Sequence, residues 1–228
     1  MKTEEPPVFG MLRRRIRSIT EKAVTKELGL NSYRFSLSWS RIIPEEGKVN
    51  EKGIAFYSAL IDELLAAGIE PLITLYHWDL PVWMDKKGGW KTLEIRDRFL
   101  EYAAVAVDAF SDRVKYWITF NEPQCFLMNG YMQGIHAPFQ RDYLCFPRIS
   151  RNFMLTNAAA VKLIREKAKT PPKVGLAFAA GAFIPKNENN LDEALLQGHG
   201  HHEQPLVDGP DPAGQTCAGI WHLPFPQA

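Results

Sequence analysis

Apolar residues along this chain recur with two different periods, and the two alternate. Short runs rich in aromatic and branched residues near positions 32–38, 71–76, 115–120 and 173–179 read as strands. Helical spacing lies between them. Asn50 is a candidate N-cap for a helix whose Ile54, Tyr57, Leu60, Ile61 and Leu64 share one stripe, with Gly68 as its stop. Thr92 is placed to cap a second helix burying Ile95, Phe99, Tyr102, Ala106 and Phe110. Phe153, Ala160, Val161, Ile164 and Ala168 mark a third, ahead of Pro171-Pro172. A chain that alternates strand and helix in this way predicts an α/β fold with a parallel sheet and crossover helices.

The first strand also predicts its faces. Tyr33, Phe35, Leu37 and Trp39 alternate with Arg34, Ser36, Ser38 and Ser40. In a barrel the apolar set meets the helical layer, and Arg34 projects towards the interior. A dinucleotide-binding sheet is the rival arrangement, but no G-x-G-x-x-G comes after any of the strands. Periodicity alone does not separate the two.

The residues at the ends of two strands do separate them. The run ending at Thr119 continues into Phe120-Asn121-Glu122-Pro123, and the run ending at Leu75 into Tyr76-His77-Trp78-Asp79-Leu80-Pro81. An acid set directly after a strand stands where a parallel α/β barrel builds its active site. Together these two strings closely resemble the family 1 glycoside hydrolases, the β-glucosidase group, over residues 20–196. The resemblance implies a (β/α)8 TIM barrel. Each strand-to-strand unit here takes roughly 40 to 60 residues and a closed barrel needs eight strands, so the expectation is a partial barrel of about four to five βα units. Residues 1–19 do not match the family, and residues 197–228, rich in Gly, Pro and His, read as loop or disorder.

The resemblance also assigns roles. Retaining glycoside hydrolysis uses two carboxyl groups about 5 to 5.5 Å apart, one as general acid/base and one as nucleophile. A lone Glu-Pro would read as an ordinary loop, but Glu122 within Ile118-Thr119-Phe120-Asn121-Glu122-Pro123 matches the family's acid/base. Asn121 matches the amide that binds the hydroxyl beside the reacting carbon, and His77 the histidine that binds sugar hydroxyls. Trp78 is placed as an apolar face in the same cleft, whereas Trp39, Trp83, Trp90 and Trp117 are taken as packing. Arg34 matches the arginine that steadies the nucleophile; without that partner it is expected to turn to solvent or to Glu122. The family's nucleophile lies in a Glu-Asn-Gly type motif that does not occur among the 228 residues, and Glu188-Asn189-Asn190 is a superficial echo.

Composition narrows the partners. The chain is 46% apolar and 23% charged with a formal net charge of +1, which suits a soluble globular protein and gives no long-range field for nucleic acid or a membrane. The expected substrate is a neutral β-glycoside or oligosaccharide. Neither a signal peptide nor a membrane span is legible, so a cytoplasmic location is the default. Cys125, Cys145 and Cys217 are odd in number and irregularly spaced, which argues against disulfides and zinc; Cys125 is expected to pack in the rim. The run Arg13-Arg14-Arg15-Ile16-Arg17 reads as a solvated face, and His199, His201 and His202 lack a second ligand cluster. No cofactor or metal is called for. Two functional expectations stand: a fragment of a retaining β-glycosidase, or a non-catalytic remnant or sugar-binding half-barrel. The second would leave strand edges and apolar surface to a complementing half-barrel or to self-association.

Overall fold

A computed structural model of the chain describes residues 29–179. Four strands form one sheet in the order β1-β2-β3-β4: β1 (Ser32–Ser36), β2 (Glu70–Tyr76), β3 (Tyr116–Asn121) and β4 (Lys173–Ala177). All three pairings are parallel. Helices connect them: α1 (Trp39–Ile42) and α2 (Glu51–Ala66) after β1, α3 (Val82–Lys86) and α4 (Glu94–Phe110) after β2, α5 (Pro123–Leu127) and α6 (Phe146–Lys167) after β3. Among the described residues this is a partial α/β barrel with four strands. The segments 1–19 and 197–228, with Arg13 to Arg17, Cys217 and the three tail histidines, lie outside the described residues.

Local signals account for most of these boundaries. Asn50 holds the N-cap position of α2, although its side-chain amide donates to the Arg41 carbonyl at 2.9 Å instead of receiving a helix N–H. α2 ends at Ala66 with Gly68 at φ 73°. The Thr92 hydroxyl accepts the Glu94 amide at 3.3 Å, while Leu93 occupies the cap position of α4. Gly53 explains an apparent weakness inside α2. A helix-interior glycine costs about 1 kcal/mol relative to alanine, yet a Cβ there would sit 2.7 Å from the Arg41 carbonyl oxygen. The close approach of α1 to α2 excludes any side chain at that position.

One expectation fails at the first strand. The strand was expected near positions 32–38, with its alternation followed on through Trp39 and Ser40, but β1 stops at Ser36, and Ser38 caps α1 by accepting the Arg41 amide. Trp39 is therefore a helical residue, fully buried and stacked on Tyr102 at 5.4 Å. The side-chain oxygen of Ser38 gives the backbone a better local partner than a further ladder position does.

The core lies between the sheet and α4 and α6. Phe120 at the end of β3 stacks on Phe99 of α4 at 4.8 Å and meets Phe153 of α6 edge-on at 5.1 Å. Trp90 is fully buried among Tyr76, Phe120, Phe126 and Phe153, and its indole N–H donates to the Tyr76 hydroxyl at 3.1 Å. Trp117 is buried as well. On the other face of β1, Arg34 points away from Phe35, which packs on Tyr57 of α2.

Candidate active site

The C-terminal ends of the parallel strands gather a connected set of polar side chains. The Asn121 amide is its centre. Its Oδ1 accepts from Arg34 Nη2 at 2.5 Å, its Nδ2 pairs with His77 Nε2 at 3.0 Å, and its backbone oxygen accepts the Trp78 indole N–H at 2.8 Å. His77 Nδ1 meets Ser36 Oγ at 2.8 Å, and Arg34 Nε donates to Thr74 Oγ1 at 2.9 Å. Arg34 is half-buried, and two of its five N–H donors go to the neutral acceptors Thr74 and Asn121. Burial is the leading influence on its pKa, lowering it, and the charge of Glu122 opposes that.

A bulge makes this geometry possible. Tyr116 and Ile118 lie opposite Leu72 and Thr74, and Leu72 lies opposite Arg34, so all these positions share one face. Strict alternation would send Asn121, an odd number of positions past Ile118, to the helix side. The register between β3 and β4 shifts between Ile118 and Asn121, and that shift returns the amide to the face of Arg34. Glu122 comes next at φ 41°, its amide donating to the Ala177 carbonyl of β4 at 2.7 Å. Trp78, at φ 79°, turns its ring to His77 and His136.

The donors fix the tautomer of His77. Arg34 has only donors, so the face of Asn121 that meets it is the oxygen, and the amide nitrogen faces His77. Nε2 is then an acceptor, and Nδ1–H donates to Ser36. Burial lowers the His77 pKa, the positive charge of Arg34 lowers it further, and Glu122 opposes both. The unfolded histidine titrates near 6.5 and binds its proton before the folded one, so stability from this network is full above about pH 6.5 and is lost as pH falls below it. The thermal midpoint of the wild-type chain should drop more steeply between pH 6.5 and 5 than that of His77→Gln. Parallel curves would show that His77 does not hold its neutral form against a proton.

Two neighbours were not singled out from the sequence. Ser36 lies on the same face as Arg34 two residues on, a signal that was available; Thr74 is found only through strand pairing. Burial raises the Asp79 carboxyl pKa, opposed first by the Ser38 hydroxyl and then by neighbouring backbone N–H groups, and its Oδ2 is buried without a hydrogen-bond partner among the described residues. Cys125 stands beside Glu122, and burial, then the charge of Glu122, pushes its thiol up to about 11. It stays protonated and is a poor nucleophile at neutral pH. Among the described residues no group of three or more His, Cys, Asp or Glu side chains could hold a metal ion, and no helix is long and apolar enough to cross a membrane.

Comparison with known proteins decides the family. The family model described as Glycosyl hydrolase family 1 matches residues 17–204. This chain belongs to glycosyl hydrolase family 1. Among family members, Beta-glucosidase A of Thermotoga maritima is 44% identical over 189 residues, covering 82% of this chain and 42% of the relative. Beta-glucosidase A of Acetivibrio thermocellus is 44% identical over 170 residues, 74% of this chain and 38% of its own length. The solved Thermotoga maritima beta-glucosidase in complex with castanospermine superposes with a TM-score of 0.72 at 43% identity, over 79% of this chain and 41% of that one. This family 1 chain therefore spans about two fifths of the length of these relatives.

Proposed function

We propose that this chain, through the domain at 20–196, supplies the acid/base side of a retaining β-glycosidase acting on β-linked O-glycosides. Glu122 is the general acid/base. Asn121, His77 and Trp78 bind the sugar, and Arg34 positions Asn121. The observation that carries this reading is the hydrogen-bonded chain from Arg34 through Asn121 to His77 at the strand ends, with Glu122 the residue after Asn121 and its charge acting on both Arg34 and His77.

The chemistry depends on what each atom has left to offer. Asn121 uses one N–H on His77 and keeps a second for a sugar hydroxyl. A hydroxyl arriving at His77 donates to Nε2 in place of Asn121, so the network rearranges on binding without gaining or losing a proton. Glu122, next along the chain, gives its proton to the glycosidic oxygen as the bond to the sugar breaks. The nucleophilic carboxylate comes from whatever completes the barrel.

A binding measurement on the chain itself tests the sugar site. Methyl β-glucoside added to the labelled chain should shift the side-chain resonances of His77 and Asn121, and Asn121→Ala should abolish the shift at His77. Shifts spread over the surface and indifferent to Asn121→Ala would sink the assignment.

A further inference from the structure

His77 holds its proton on the nitrogen that a neutral histidine free in water favours less. Its Nε2 faces the Asn121 amide N–H at 3.0 Å and its Nδ1 meets Ser36 Oγ at 2.8 Å, so Nε2 is bare and Nδ1 carries the hydrogen. A neighbour must impose this arrangement, because the bond made at one ring nitrogen decides where the proton sits. Ser36 does not impose it. A hydroxyl both gives and receives hydrogen bonds, and Ser36 satisfies either tautomer.

The constraint enters from the other end of the network. The Asn121 amide is ambivalent in itself, since half a turn exchanges its oxygen and its N–H groups with almost no change of shape. Arg34 removes that choice. Its guanidinium has donors only, Thr74 Oγ1 anchors it through Nε at 2.9 Å, and Nη2 is directed at Asn121 Oδ1. Asn121 is 4% exposed, so water does not make up for an amide turned the wrong way. The Trp78 indole N–H goes to the backbone oxygen of Asn121 and leaves the side chain to Arg34 and His77. One donor-only group therefore orients the amide, and the amide in turn orients the proton of the imidazole.

Resting on the sugar-site reading, we infer that Arg34 is a positioning residue for ligand recognition: acting through Asn121, it makes His77 Nε2 an acceptor, so the site selects a sugar hydroxyl that donates at this point and rejects a group that only accepts. A hydroxyl there receives the second Asn121 N–H and gives its own proton to Nε2. Fluorine on the same carbon receives the first bond and meets a lone pair at the second.

The test reads tautomer and selectivity separately, on the 228-residue chain. The charge of Arg34 lowers the His77 pKa, and removing it lets that pKa rise, so nitrogen-15 spectra are taken at about pH 8, above the ordinary histidine titration. Wild-type His77 should show a protonated Nδ1 and a bare Nε2. In Arg34→Met, which removes the donors and keeps the length of the stem, the amide is free to turn and the Nε2–H form should become the major one. By calorimetry, a set of methyl β-glucosides with fluorine in place of one hydroxyl at a time should include one that binds the wild type about tenfold more weakly than methyl β-glucoside; in Arg34→Met that ratio should fall to about twofold or less. If Arg34→Met does not fold, Asn121→Asp offers Nε2 an oxygen in the same shape and should put a proton on it. Nε2–H in the wild type, or a bare Nε2 that persists in folded Arg34→Met or in Asn121→Asp, overturns the inference. A tautomer that switches while the fluorine ratio stays the same overturns the selectivity. A tautomer that switches in a chain whose wild type binds no methyl β-glucoside supports the role of Arg34 and overturns the sugar site.

Discussion

Glu122→Gln should lower turnover of an alkyl β-glucoside by about 10²- to 10⁴-fold in a closed barrel assembled from this chain and the C-terminal part of its Thermotoga maritima relative. The amide keeps the shape of the carboxyl group and cannot release a proton to an alkoxide. The size of the loss should depend on the leaving group. A dinitrophenolate departs with little protonation, so the burst that reports the first step should be slowed far less with dinitrophenyl β-glucoside. An equal loss on both substrates would mean that Glu122 supports the site in some way other than proton donation. Turnover indifferent to Glu122→Gln would remove it from the mechanism.

The largest expected loss of stability lies away from the polar network, at Trp90. Trp90→Ala should cost about 3 to 5 kcal/mol, the usual range for deleting a large buried aromatic side chain. Four aromatic neighbours lose a shared partner, and the Tyr76 hydroxyl, whose pKa burial raises well above its ordinary value, loses the indole N–H it accepts. For a chain of this size the midpoint should fall by roughly 6 to 20 °C, measured by circular dichroism. A fall of under about 3 °C would show that the surrounding rings collapse into the space.

The strands and the long helices were legible because their periods are local: a run of branched and aromatic residues, or an apolar stripe, needs no knowledge of the rest of the chain. The same locality misled at Trp39, where alternation ran on into a helical turn that Ser38 caps. That His77, Asn121 and Glu122 stand at strand ends was evident from the motifs. Their connections were not. Arg34 finds acceptors 40 and 87 positions away, at Thr74 and Asn121. The bulge before Asn121 is a property of two paired strands, and no single stretch of sequence records it. The left-handed conformations of Trp78, Glu122 and Phe139 were equally hidden, since none is a residue whose presence announces a positive φ.

The hold of β4 on the acid has a consequence for how the chain is made. Spatial order matches chain order across the sheet, so β1, β2 and β3 can pair as each leaves the ribosome. Glu122 leaves with β3, but its backbone partner is Ala177, and the adjoining Gln124 bonds to Ala179, 55 residues further on. During synthesis the first three strands can therefore pair before the residue at their edge gains its partner on β4. The fourth strand completes the position of a group that was translated well before it.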